Sequence, residues 1–342
     1  MDQLIQGDEE VTDWVRQSRT IRTVTRVPGD ASARRYYRIE ATDGNSYIVM
    51  WVEPFAGQEK EMPFLVVQAH LKKSGIWVPQ VFDVDGGRGF VLLEDLGDVM
   101  LLRKLQGTDD VFQERFFYER AIDALVQLQL QASPAAHDQS LEAFRLSFDQ
   151  EKLMWEVNFA IENFYEIYLK RVFAGTDRQI IVDGFSEICT TLAAQPRVLT
   201  HRDYHSRNIM IKGDGSQERF FMIDFQDARM GPAQYDLASL LRDSYYQLEE
   251  VQITALLEYY IKSFESKSGK KLDRLEFLEI FDLMSIQRNF KAIGSFASFL
   301  NRRGDASYLK YIGNTFENIR RTLLKYPRYA HLRELLFHYY YF

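Results

Sequence analysis

A change of periodicity at Gly97 divides the chain into two unlike parts. From Ile21 to Leu96 the apolar residues follow strand spacing broken by turn residues. Tyr36–Ile39 and Tyr47–Val52 flank Asp43-Gly44-Asn45, a turn that tolerates positive φ, and Val81–Val84 and Phe90–Leu93 flank Gly86-Gly87. Between these hairpins Pro63 suits a first helical turn and Gly75 ends the helix that runs to Lys73. The expected order is strand, strand, helix, strand, strand. After Gly97 the spacing becomes helical over Asp109–Gln131, Asp149–Phe173 and Arg178–Ala194. Short strand signals interrupt at Val198–Thr200, Ile209–Ile211 and Phe220–Ile223, with Gly213-Asp214-Gly215 as a turn. From Ala233 to Phe342 the pattern is helical again, broken near Gly269 and Gly304. A small β-rich lobe (residues 1–96) joined to a large, mainly helical lobe (97–342) predicts an α+β, two-lobed fold with its cleft at the join.

The 342 residues suffice for two packed cores. A formal charge of −7 argues against a general nucleic-acid binder, which needs concentrated Lys and Arg to neutralise phosphate. The single cysteine, Cys189, cannot form an internal disulfide, so a reducing compartment is the natural setting. The chain opens Met-Asp-Gln, with acids at Asp8, Glu9 and Glu10 in place of a basic-then-apolar leader. No apolar run approaches the ~20 residues that a membrane helix needs. The expectation is a cytoplasmic protein with a small-molecule partner and neither nucleic acid nor membrane; nothing in the sequence sets an oligomeric state.

The chemistry lies in Thr200–Asn208, which contains His201-Arg202-Asp203, four further residues and Asn208, with Asp224-Phe225 after the next hairpin. Phosphoryl transfer asks a protein for a positioned hydroxyl and for cations on the polyphosphate. Asp203, on a strand-to-loop turn, suits the acceptor's proton, while Asn208 and Asp224 offer oxygens to Mg²⁺ with ATP as co-substrate. The strands between them would return Asp224 to the side of Asn208. A rival reading takes His201, Asp203 and His205 as hydrolase metal ligands, but no further His or Cys lies nearby to complete a zinc sphere, apart from Cys189 in a presumed helix.

These residues resemble the aminoglycoside phosphotransferase and choline kinase superfamily. Asp224-Phe225-Gln226 stands where protein kinases have Asp-Phe-Gly, and Gly231–Ala238 matches the stretch that follows the metal aspartate. The resemblance implies a protein-kinase-like fold and a supporting role for Asp236 beneath the catalytic loop. Gly29–Arg38, His201–Asn208, Ile223–Ala228, Leu240–Asp243, Gln287–Lys291 and Gly294–Ala297 are similar to the bacterial anomeric sugar kinases. Those phosphorylate N-acetylmuramate and N-acetylglucosamine at C1 in peptidoglycan recycling. The resemblance thus implies a sugar kinase; a kinase of aminoglycosides or choline-like amines and a non-catalytic nucleotide-binding scaffold are the alternatives.

Two departures mark the nucleotide side. The phosphate-covering turn is Gly29-Asp30-Ala31-Ser32, with a single glycine. The strand Tyr47–Val52 has no lysine for the α- and β-phosphates; Met50 or Trp51 takes its place. Arg34 or Arg35 can supply the charge instead, since a guanidinium grips phosphate bidentately; both can equally be solvated strand-edge charges. Phe90–Leu96 has the form of a lobe-connecting hinge, with Glu94 to Leu96 beside adenine. On the acceptor side, Tyr204, His205 and Gln226 lie near the base in sequence. Arg242, Arg288 and Lys291 are the downstream cations that an anionic or neutral sugar favours over a polycation.

Overall fold

The computed structural model describes residues 6–28, 34–135 and 138–342. The phosphate-covering turn Gly29–Ser32 lies outside them. The N-terminal lobe begins with helix α1 (Gln6–Arg16) and strands β1 (Ile21–Val27), β2 (Arg35–Ala41) and β3 (Ser46–Trp51). Helix α2 (Pro63–Lys73) follows, then β4 (Val81–Asp85) and β5 (Phe90–Glu94). The five strands form one antiparallel sheet in the order β1-β2-β3-β5-β4.

Side-chain alternation decides what each face of this sheet covers. Phe90 and Leu92 join Tyr37, Ile39 and Val49 against Val11, Trp14 and Val15 of α1. Val91 and Leu93 join Met50 against Phe64, Val67 and Leu71 of α2. β5 is therefore apolar on both faces and reads as a continuous run. The hairpin, helix, hairpin order holds, but α1 and β1 precede it. Their signals are weak because β1 is an edge strand with Arg22, Thr23, Thr25 and Arg26 exposed.

The C-terminal lobe contains α3 (Leu101–Gln106), α4 (Val111–Gln131), α5 (Glu142–Arg145), α6 (Gln150–Ala160) and α7 (Asp177–Ala193). Four short strands come next: β6 (Arg197–Thr200), β7 (Ile209–Lys212), β8 (Arg219–Met222) and β9 (Arg229–Pro232). Helices α8 (Gln234–Leu241), α9 (Glu250–Ser268), α10 (Arg274–Arg303), α11 (Ile312–Leu323) and α12 (Ala330–Tyr341) complete it. α10 forms the axis of the lobe and packs against α6, α7, α8 and α11. Where it passes α6, a Cβ on Gly294 would lie 2.4 Å from the Cα of Ala160, so only glycine permits the approach. Directly after Ala160 the α6 helix widens into a π-helical segment, Ile161–Tyr168. Gly269 and Gly304 end α9 and α10 in the left-handed conformation.

Two small strand pairs hold the loops that matter. β7 pairs with β8 and β6 with β9, the last strand being one that the sequence pattern did not reveal. No helix among the described residues is long and apolar enough to cross a membrane.

Candidate active site

The loop from His201 to Asn208 leaves β6 and enters β7. Opposite Ile209 in the β7–β8 register stands Met222, and the Ile223 amide donates to the Asn208 carbonyl at 3.1 Å. The hairpin thus delivers Asp224 beside Asn208. Two residues here hold positive φ without being glycine, Arg202 at 81° and Asp224 at 64°, the kind of local strain that needs support from its surroundings.

Asp236, in the first turn of α8, supplies that support at Arg202. Its carboxylate accepts from the His201 amide at 2.6 Å and from the Arg202 amide at 2.9 Å. Burial pushes the Asp236 carboxyl up to about 7 despite those two donors. Asp243 accepts from the Ser206 amide at 2.9 Å and from its hydroxyl, and thereby fixes the far end of the loop. His201 is buried beneath, and burial lowers its pKa.

Asp203 faces a cavity of about 250 Å³ whose lining includes His205, Asn208, Asp224, Arg288 and Lys291. Arg288 donates to Asp203 Oδ1 at 3.2 Å and Lys291 to the same oxygen at 3.3 Å. Burial alone would push this carboxyl up; the charges of Lys291, Arg288 and Arg202 outweigh it and hold it well below the usual range. Burial drives the His205 imidazole down to about 3, so that ring is neutral. Asn208 donates its amide hydrogens to the Asp203 carbonyl at 2.9 Å, which leaves its own carbonyl oxygen for a ligand.

Asn208 and Asp224 therefore give one amide oxygen and one half-exposed carboxylate on the same cavity. That donor set fits Mg²⁺, which keeps several waters and substrate phosphates and takes only one or two protein oxygens. Among the described residues no group of three or more His, Cys, Asp or Glu side chains is placed to hold a metal ion.

On the N-terminal side, Arg34 reaches across the cleft, with Nη1 3.4 Å from Asp224 Oδ1. Arg35, one residue on, points to the other face and stacks on Trp51 at 4.2 Å. Met50 is fully buried against the α2 side of the sheet, and α2 itself carries no Asp or Glu to pair with a strand lysine. Phe225 is buried and stacks on Phe64 of α2 at 5.1 Å, joining the Asp224 turn to the N-terminal lobe. Glu94 is held by Lys212 at 2.8 Å. Leu96 lies with Met210 and Phe221, next to Met100 and Ile223, in a separate apolar cluster at the join.

Of the expected acceptor contacts, one is turned into the core and two are engaged by neighbouring side chains. Tyr204 is fully buried, and its hydroxyl donates to the Ala121 carbonyl at 2.8 Å, because the loop turns its side chain into the core. Gln226 donates to Asp224 at 2.9 Å and lines a second cavity beneath α2. Arg242 borders the Asp203 cavity, but its side chain is 2% exposed and its terminal nitrogens pair with Glu250. Ser239, whose Oγ accepts from Arg288 Nε at 2.8 Å and so orients it, was not anticipated. Its only sequence signal is its place on α8, one turn beyond Asp236.

Comparison with known proteins agrees with this geometry. Residues 23–276 match the model of the phosphotransferase enzyme family. An N-acetylmuramate/N-acetylglucosamine kinase of Neisseria meningitidis serogroup B is 32% identical, over 92% of this chain and 89% of that protein. A protein of the same name from Pseudomonas putida is 30% identical, over 96% of this chain and 93% of that one. Among solved structures, the choline kinase LicA of Streptococcus pneumoniae aligns with a TM-score of 0.62 at 13% identity, covering 93% of this chain and all of that one. The ADP-bound aminoglycoside phosphotransferase APH(2'')-Ib aligns with a TM-score of 0.59 at 15% identity, covering 91% of this chain and 97% of that one. The chain belongs to the phosphotransferase enzyme family and is an ATP-dependent kinase acting on a hydroxyl group.

Proposed function

We propose that this kinase transfers the γ-phosphoryl group of ATP to the C1 hydroxyl of N-acetylmuramate, N-acetylglucosamine or both, giving the sugar 1-phosphate in the cytoplasmic recycling of peptidoglycan. The observation that carries the reading is the pair of cations on Asp203. An aminoglycoside is a polycation and calls for a carboxylate-rich pocket, whereas here Arg288 and Lys291 already crowd the base. The relatives named for N-acetylmuramate and N-acetylglucosamine point the same way.

In this reading Asp203 orients the hydroxyl through the oxygen that Arg288 and Lys291 leave to it. The acceptor oxygen forms a bond to γ-phosphorus as the β,γ-bridging bond breaks, and its proton passes to Asp203 late in the transfer. A carboxylate held in its ionised form is a weak base, and a hemiacetal hydroxyl, more acidic than a plain alcohol, demands little of it. Asn208 and Asp224 hold the Mg²⁺ that neutralises the polyphosphate. Arg34 replaces the absent strand lysine on the phosphates, and the Leu96–Met210–Phe221 cluster forms a floor for adenine next to the Glu94–Leu96 backbone. The boundary between the nucleotide lobe (1–96) and the catalytic lobe (97–342) then falls at the end of this hinge.

A ³¹P NMR turnover panel with ATP and Mg²⁺ tests the assignment against N-acetylmuramate, N-acetylglucosamine, kanamycin and choline. Product phosphorus coupled to an anomeric proton is the expected result; turnover of the amines alone removes the sugar reading. Asp203→Asn lowers turnover about 10²–10⁴-fold with nucleotide affinity retained, as read by equilibrium titration, and a wild-type rate in this variant removes the role given to Asp203.

A further inference from the structure

Four cations border the acceptor cavity, and their surroundings distinguish what each is available to bind. Arg242 is committed to Glu250. Arg288 is buried, gives Nε to Ser239 and lies 5.2 Å over the Tyr235 ring before it reaches Asp203. Arg207 rests on the rings of Tyr245 and Tyr308, at 4.8 and 5.8 Å. Lys291 differs from these three. Its ammonium makes one hydrogen bond among the described residues, 3.3 Å to the Asp203 oxygen that Arg288 also holds, although it carries three donors.

Lys291 also has cations for neighbours. Two cations share one carboxylate oxygen, and Lys152 from α6, Arg202 and Arg288 lie close enough to repel it. The acids that attract it most are Asp203 and Glu156, with Lys152 4.0 Å from Glu156, and Asp224 and Asp243 also line the cavity. Ser295, Phe296 and Phe299 continue the wall along the following turns of α10. An acceptor with its hydroxyl on Asp203 therefore has this ammonium within the span of one sugar ring.

We propose that Lys291 selects an acceptor that carries a carboxylate over its neutral parent sugar. The proposal rests on the amino-sugar reading above. N-Acetylmuramate is N-acetylglucosamine with an added lactyl ether and so brings one negative charge. That carboxylate accepts from the remaining Lys291 donors in a partly desolvated place, where charge-assisted hydrogen bonds are strongest. The neutral sugar binds without this contact.

The test compares kcat/KM for the two sugars in wild type, Lys291→Met and Lys291→Arg. Loss of the ammonium also changes the basicity of Asp203, but that effect falls on both sugars and cancels in their ratio. The ratio of N-acetylmuramate to N-acetylglucosamine drops about tenfold or more in Lys291→Met, as expected for one lost charge-assisted hydrogen bond, and Lys291→Arg restores most of it. Should Lys291→Met turn over too slowly to measure, calorimetric Kd values for the two sugars give the same ratio. A ratio unchanged within twofold, or a loss that arginine does not rescue, overturns the proposal. Wild-type enzyme that turns over neither sugar removes instead the substrate reading on which it stands.

Discussion

At the scale of single residues, the neighbours Arg34 and Arg35 show how one step along the chain separates the cleft from the far face of the sheet. Tyr36 pairs with Met50 and Arg35 with Trp51, so Arg34 falls on the face that looks toward Asp224 while Arg35 covers Trp51 on the other. Arg34→Ala raises KM for ATP by about tenfold, in keeping with the loss of one hydrogen bond to a charged group, and Arg35→Ala changes it by less than about twofold; steady-state rates with ATP as the varied substrate check both. The two arginines were indistinguishable in the sequence because a one-residue slip reverses every side chain, and the register lies in the partner strand. Asp203, Asn208 and Asp224 were legible because their arrangement depends on local spacing. Tyr204 was not, since the turn at Arg202 decides which of its neighbours faces inward.

His205 gives the residue scale its pH signature. Its ordinary value is 6.5 and burial lowers it to about 3, so the folded protein keeps the ring neutral where the unfolded chain protonates it. The stability it contributes is complete above pH 6.5 and is lost as pH falls toward 3. Denaturant titrations from pH 4 to 7 on wild type and His205→Gln should show the wild-type curve falling more steeply on the acid side. Asp236 acts in the opposite sense: its raised carboxyl favours the folded state below about pH 4 and withdraws that support as pH rises through 7. Parallel curves for the two proteins would show that His205 contributes nothing to the acid limb.

Among the elements, α10 has the most to position. One face carries Arg288, Lys291, Ser295 and Phe296 to the Asp203 cavity, and the other carries Phe290 and Gly294 to the core. Its length and its end at Gly304 could be read from the sequence, but which cations turn toward Asp203 depends on how α10 rolls against α6 and α8. The contact at Gly294 sets that roll. A methyl group there meets the Ala160 backbone, which cannot rotate away, so Gly294→Ala destabilises the protein by about 1–3 kcal/mol and shifts Arg288 and Lys291 from the base. The denaturant midpoint reads the first effect and kcat the second; a variant with wild-type stability would mean that the helices separate at no cost. The edge strand β1 and the short β9 were faint in sequence for a shared reason: each draws its order from a partner rather than from an apolar face of its own.

For the whole molecule, Phe64 on Phe225 and Arg34 on Asp224 are among the contacts that join the N-terminal part to the C-terminal part, and both border the Asp224 turn. Mg²⁺-ADP bound across this join should therefore stabilise both lobes as one unit. At a nucleotide concentration of about 100 times Kd the gain is roughly 2.7 kcal/mol, visible as a rise in the melting temperature. EDTA removes most of that rise in wild type, and Asp224→Asn loses the part that depends on metal. An unaltered metal-dependent shift in Asp224→Asn would take Asp224 out of the ligand set.

The reach of Arg34 to Asp224 has a consequence for the order of events. The guanidinium lies 3.4 Å from the carboxylate to which the proposed function gives the divalent ion, and it would repel an ion that arrives alone. A triphosphate arriving without metal draws Arg34 away but then faces the bare carboxylate. Metal and nucleotide entering together would satisfy both at once, with Arg34 available to the phosphates and Asp224 to the ion. On the proposed roles, the Arg34–Asp224 contact works as a latch that favours metal and nucleotide together over either half alone.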